Sequence, residues 1–188
     1  MSKSCTDAVK RNRVEITPDR VVKVFSQGAH KSSRFHHELE ALRRLRGVDG
    51  IPVLLSYAPT GRRITTARLP GTSLDVAQAV PDAVFLRLRV LVEDMLYCGV
   101  ARHSLPARDI IVRPDGTVSV VDFERCTLRR WRFGPIWRIS CRVARFNLLR
   151  LIEAHAPHLL TPQEQTTLRR QHRWRAAFHR HRHWFHRL

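Results

Sequence analysis

The punctuation of this chain constrains its fold more than any other feature. Short β-branched runs separated by tight-turn signals crowd the first 70 residues, and long stretches of helical periodicity follow. Val14–Ile16 and Arg20–Phe25 lie around ThrProAspArg and predict a hairpin, because β-branched side chains suit a pleated strand while Pro and Asp suit the turn. From Ser33 to Arg46 the apolar residues Phe35, Leu39, Leu42 and Leu45 recur at helical spacing, and Gly47 supplies a stop. Ile51–Ala58 and Arg62–Leu69 read as two more strands joined at ThrGly, after which the loop-like Leu69–Leu74 opens a mostly helical stretch. Asp82–Gly99 predicts a helix whose broad apolar face carries Val84, Leu86, Leu88, Val90, Leu91, Met95 and Leu96, with a loop after it. A second hairpin, Ile110–Val112 and Thr117–Phe123 around ArgProAspGly, delivers Asp122 at its end. Pro135 is placed to start a helix running to about Glu153, and Pro162 another reaching toward the C-terminus. There is no internal repeat.

At 188 residues and 21.9 kDa, with 43% hydrophobic and 27% charged residues, the chain can bury one core and is too short for a multidomain machine. Its net charge of +18 attracts phosphates, anionic lipid or nucleic acid without choosing among them. The distribution is more informative: from Arg125 onward there are 15 Arg and no Lys against Glu153 and Glu164, a net +13. All four Trp and seven of the eleven His share that last third. A nearly balanced body therefore carries a basic, aromatic end. Cys5, Cys98, Cys126 and Cys141 are scattered without a CxxC pair, which suits reduced thiols with no assigned chemistry. The N-terminus has no apolar signal core, and no stretch reaches the roughly 18 apolar residues of a membrane span. The expected location is cytoplasmic, with peripheral attachment to the inner face of the cytoplasmic membrane as an extension of that reading.

Two motifs bear on chemistry. The strand ValValLysValPhe carries Lys23 in a chain with only four Lys, and the following helix carries Glu38. Further on, ArgHisSerLeuProAlaArgAspIleIleVal precedes ValValAspPheGlu, so Asp109 and Asp122 flank one hairpin. In this order the motifs resemble the protein-kinase-like fold, in particular small atypical bacterial kinases such as the lipopolysaccharide-core (Kdo/heptose) and RIO-like kinases, over roughly residues 13–125. The resemblance implies an α+β, reduced two-lobed protein-kinase-like fold with a small β-rich N-lobe and a helical C-lobe. Residues 1–70 would form a truncated N-lobe, 71–160 the C-lobe and 161–188 a basic His/Arg/Trp-rich helical tail. It implies Mg-ATP as cofactor, Lys23 on the nucleotide phosphates, Glu38 orienting Lys23, and Asp109 and Asp122 as Mg²⁺ ligands. A long cation on a rigid strand neutralises phosphate charge without reorganising during transfer. Leu69–Leu74 falls at the interlobe hinge of such a fold.

The chain departs from the family pattern in two places. Five residues before Asp109, where the resemblance expects the catalytic Asp, stands Ser104, and a Ser hydroxyl is no base. The neighbouring His103 is the alternative candidate to orient or deprotonate an acceptor. Nothing like GxGxxG precedes Lys23, so the phosphates would lack a backbone cradle. Three readings follow. The first is a phosphotransferase acting on a hydroxyl, either of a lipid-linked sugar of lipopolysaccharide or of a protein Ser/Thr. The second is a catalytically impaired pseudokinase serving as a membrane- or partner-binding regulatory module. The third is a basic nucleic-acid-binding protein.

In the basic end, Arg138, Arg142 and Arg145 recur beside a stripe of Trp137, Cys141, Ala144 and Leu148. That helix either buries its apolar stripe against the domain and shows Arg to water, or also sits on anionic lipid with Trp131 and Trp137 at head-group depth. His179, His183 and His186 fall on one helical face, a spacing compatible with Zn²⁺ or Ni²⁺, although a merely cationic tail is the simpler reading.

Overall fold

The structure, a computed structural model, describes residues 12–26, 29–131 and 134–170. Strands β1 (Arg13–Ile16) and β2 (Arg20–Val24) form the expected hairpin, closed where Thr17 donates its backbone N–H to Arg20 O and its hydroxyl to Asp19. Helix α1 (Ala29–Arg44) follows, then β3 (Leu54–Ala58) and β4 (Arg63–Ala67). The four strands make one antiparallel sheet in the order β1-β2-β4-β3, so β4 returns across α1 to pair with β2. α1 presents Phe35, Leu39 and Leu42 to the core, Leu45 joins them from the turn just beyond the helix, and Phe25 meets Phe35 edge-on at 5.6 Å.

The remaining described residues place helices around two small sheets. β5 (Thr72–Ser73) pairs with β7 (Ile110–Val112), which pairs with β8 (Val118–Val120) in the expected hairpin. Helix α2 (Asp82–Tyr97) buries Val84, Phe85, Leu88, Leu91, Val92, Met95 and Leu96, but Leu86 and Val90 face outward. They correct the broad face expected from sequence, because a helix turning 3.6 residues per turn carries those two positions away from the line of the others. The stretch after Gly99 is not a loop: β6 (Val100–Arg102) pairs antiparallel with β9 (Cys126–Leu128) and so clamps the base of the β7–β8 hairpin. Helix α3 (Pro135–His155) lays Trp137, Ala144, Leu148, Leu151 and Ile152 on the same continuous core, and residues 162–170 are helical. Burial pushes the Cys126 thiol up to about 12, so it stays protonated at neutral pH. The expectations for the remainder of the tail, including His179, His183 and His186, lie outside the described residues.

Between β4 and β5 the backbone requires a glycine. Gly71 has φ +126°, and a Cβ there would meet Val112 O at 2.6 Å and Ile111 Cγ2 at 2.8 Å. The segment leading from the four-stranded sheet to β5 thus presses backbone against β7 and needs a residue without a side chain.

Candidate active site

Strand register builds one side of the site. β1, β2 and β4 pair Val14 with Lys23 and Lys23 with Ile64, and likewise Ile16 with Val21 and Val21 with Thr66. Alternate residues of a strand share a face, and direct partners in neighbouring strands share it too, so these six side chains cover one surface. All six line a cleft of about 480 Å³, closed on other sides by Leu69 and Gly71, by Ile111 of β7, and by Val121 and Phe123 beyond β8. The cleft is apolar along the sheet and charged at the Lys23 end.

Glu38 reaches that end from α1. It sits among the helix's core-facing residues and is only 6% exposed, so its carboxylate requires a partner. Lys23 Nζ donates to Glu38 Oε2 and to Asp122 Oδ1, each at 2.7 Å, and lies 3.5 Å from Glu124 Oε2. Asn12 also donates to Glu124 Oε2 at 2.6 Å, and Arg34 stands 3.6 Å from Oε1. Asp122 follows β8 in the left-handed region, φ +66°, a conformation that Asp adopts more readily than most residues. Asp122, Phe123 and Glu124 all line the cleft around that turn, and Phe123 is also buried in the core.

Charges here oppose burial. Desolvation raises the Glu38 carboxyl to about 7, with Lys23 pulling the other way and Asp122 and Glu124 adding to the rise. For Lys23 burial is the largest influence and acts downward, yet Glu38 and Asp122 together outweigh it and hold the ammonium above its ordinary value. For Asp122 burial acts upward and is outweighed by Lys23, leaving the carboxyl below its ordinary range. Ligand oxygens of Glu38, Asp122 and Glu124 all lie within 4.8 Å of one another, a hard-oxygen set of the kind divalent cations prefer.

The structure thus brings Lys23, Glu38 and Asp122 together. It holds Asp109 differently. Asp109 accepts from Arg102 Nη2 at 2.6 Å, while Arg102 Nη1 donates to Val121 O at 2.7 Å and the guanidinium lies 5.7 Å from the Phe123 ring centroid. Burial raises the Asp109 carboxyl against the pull of Arg102. Asp109 remains tied to the same hairpin, since its carbonyl accepts from Val121 N–H at 2.9 Å. The buried Arg102 therefore connects Asp109 to the segment bearing Asp122. His103 is exposed, and its Nε2 lies 2.7 Å from Thr127 Oγ1 of β9, with its carbonyl accepting from Asn147 of α3. Ser104 is exposed, and its side chain makes no hydrogen bond to another described residue.

Sequence reasoning missed Glu124 and Arg102. Glu124 carries a readable signal, lying two residues beyond Asp122 with a core Phe between. Arg102 carries none, because in a chain with 30 Arg nothing local marks the one that is buried among the described residues.

The fold itself has solved relatives. The Rio2 kinase from Chaetomium thermophilum, in a structure described as its ADP/Mg²⁺-phosphoaspartate complex, superposes with a TM-score of 0.58 at 14% identity, covering 82% of this chain. WbdD, in a structure with its C-terminal bundle ordered, superposes with a TM-score of 0.50 at 16% identity over 66% of this chain. This chain spans 58% of the length of the Rio2 chain and 29% of that of WbdD. No family model matches the sequence, and no curated protein matches it significantly. The chain has a mixed α+β, protein-kinase-like fold.

Proposed function

We propose that the chain is a kinase-like phosphotransferase that uses Mg-ATP and passes a phosphoryl group to a hydroxyl acceptor. The observation carrying this reading is Lys23, held by Glu38 and Asp122 at 2.7 Å each, at the charged end of an otherwise apolar cleft. An apolar slot between Val21, Ile64 and Ile111 suits a flat ring, and the Lys23 end suits phosphates. Bound Mg²⁺ would shield phosphate charge, and the carboxylates of Asp122 and Glu124 are the oxygens on hand to hold it, while the resemblance alone adds Asp109, whose carboxylate is engaged by Arg102. Glu38 keeps Lys23 in place, so the ammonium meets phosphate charge already oriented. In this reading the chain is two-lobed, with the described residues of 1–70 and of 71–160 on either side of the cleft and Gly71 in the hinge. The Rio2 relative, solved with ADP and Mg²⁺, supports the nucleotide assignment.

The acceptor end lacks a carboxylate at position 104. Phosphoryl transfer depends mostly on positioning and electrostatics, so a missing base slows the reaction without forbidding it. His103, next to Ser104 and anchored to Thr127, is the imidazole assigned to orient or deprotonate the acceptor. We assign a lipid-linked sugar, as in lipopolysaccharide, as the first acceptor class to screen and a protein Ser/Thr as the second. Ser104 also favours a second reading, a pseudokinase that binds nucleotide and regulates a partner.

Melting curves with and without Mg-ATP test the site. A ligand specific for the folded state stabilises it by about 2.7 kcal/mol at a hundredfold excess over Kd. For a domain of this size that is a shift of about 5–10 °C. Lys23→Met and Asp122→Ala, each compared with its own ligand-free curve, should abolish the shift. A wild type that does not respond to Mg-ATP overturns both readings; a shift without phosphate transfer to any acceptor selects the pseudokinase.

A further inference from the structure

Helix α3 has two apolar faces, and the core uses one. Trp137, Ala144, Leu148, Leu151 and Ile152 are buried, which removes Trp137 from the head-group role expected of it: it is 8% exposed, with Arg129 5.7 Å from its ring centroid. On the outer face Ile136, Ile139 and Val143 recur at i, i+3 and i+7, at 72%, 59% and 38% exposure, and Trp131 just before the helix is 78% exposed. Trp131 and Ile136 also wall an apolar groove of about 730 Å³ with Thr127, Leu128, Pro135 and Trp137. Scattered exposed apolar residues are ordinary, but a contiguous ridge of large ones marks a surface that meets something apolar.

Its border is cationic. Arg130, Arg138 and Arg142 are exposed and form no ion pair with a described residue, whereas Arg145 is held by Glu93 at 2.6 Å and so leaves the expected trio of free cations. Arg138 and Arg142 stand one turn apart along the Ile136–Ile139–Val143 ridge. Apolar side chains with an indole, flanked by unneutralised guanidinium groups, match the layering of an anionic bilayer surface, with acyl chains below and phosphates above. A two-fold dimer through the same ridge would set Arg against Arg, so a second copy fits less well.

We propose that the outer face of α3, with Trp131, docks the protein on a membrane containing anionic phospholipid. No helix among the described residues is long and apolar enough to cross a membrane, so this is attachment at the surface. Docking does not depend on the nucleotide reading. Its consequence for the acceptor does: Thr127 lines the groove and holds His103, so docking would bring His103, the residue assigned to the acceptor, to the lipid.

The test is sedimentation of the full chain with vesicles of phosphatidylcholine alone and with phosphatidylglycerol added. Binding only to the anionic vesicles is expected, weakened about tenfold or more by Ile136→Ser/Ile139→Ser and weakened also by Arg138→Gln/Arg142→Gln. Lipids brominated in the acyl chain should quench wild-type fluorescence more than that of Trp131→Phe, a readout that survives if the double Ile variant fails to fold. Three results overturn the proposal: no binding to anionic vesicles; binding that the Ile and Trp131 substitutions leave unchanged, which places the contact elsewhere on the basic chain; or a dimer in sedimentation velocity that the Ile substitutions split while vesicles remain unbound.

Discussion

Replacing Lys23 by Met should destabilise the ligand-free protein sharply, and mainly for electrostatic reasons. Lys23 sits among three carboxylates whose oxygens lie within 4.8 Å of one another, and the Glu38 and Glu124 side chains are only 8% and 14% exposed. Removing one partner of a buried ion pair costs about 3–5 kcal/mol, because the remaining charge loses its counterion without regaining water. In a domain of this size that lowers Tm by roughly 10 °C. If the cost arises from the stranded charge, Lys23→Met/Glu38→Leu should recover more than half of the loss, whereas independent packing defects would add. The pH dependence follows from the same carboxyl. Glu38 is held at about 7 in the fold against an ordinary value of 4.5, so the folded state binds its proton more tightly. The stability that protonation contributes is fully present below 4.5 and is lost as pH rises through about 7. Without Lys23 that carboxyl rises further, so the deficit of Lys23→Met relative to wild type should be small in mild acid and grow toward alkaline pH. Thermal denaturation of the four chains of the cycle across that range measures both effects. A Lys23→Met chain within about 2 °C of wild type, no recovery on adding Glu38→Leu, or a deficit independent of pH would refute the reasoning.

Further outcomes follow from other contacts. Gly71→Ala places a Cβ 2.6 Å from Val112 O at φ +126°, so a loss of about 2–3 kcal/mol in urea unfolding is expected, with weaker nucleotide binding at the cleft it lines. Arg102→Leu leaves the half-buried Asp109 without its 2.6 Å partner; a loss of about 3 kcal/mol is expected, and a further Asp109→Asn should return part of it in the same assay. Ser104→Asp supplies a carboxylate at the acceptor loop and should raise phosphate transfer about a hundredfold, or ATP hydrolysis if no acceptor is yet in hand; an unchanged rate would detach position 104 from the chemistry.

Local signals carried the elements whose formation is a local matter. The β1–β2 hairpin, α1, the β7–β8 hairpin and the Pro135 start of α3 were legible because turn residues, β-branched runs and helical spacing act within a few residues of one another. Lys23, Glu38 and Asp122 were legible as candidates because each sits on such an element. Their convergence within 2.7 Å was not, since it depends on α1 packing against β3, β4 and β9 and on the backbone turn at Asp122. Three-residue strands such as β6 and β9 have no periodicity to read, and their pairing across more than twenty residues exists because the hairpin between them folds back. The two faces of α3 show the same division. Composition and spacing determined that the helix would be amphipathic, basic and aromatic, since those properties belong to the chain. Which apolar stripe met the core was decided by packing: Trp137 went under and Ile136, Ile139 and Val143 stayed outside, because a helix with two apolar faces can bury only one against a single core.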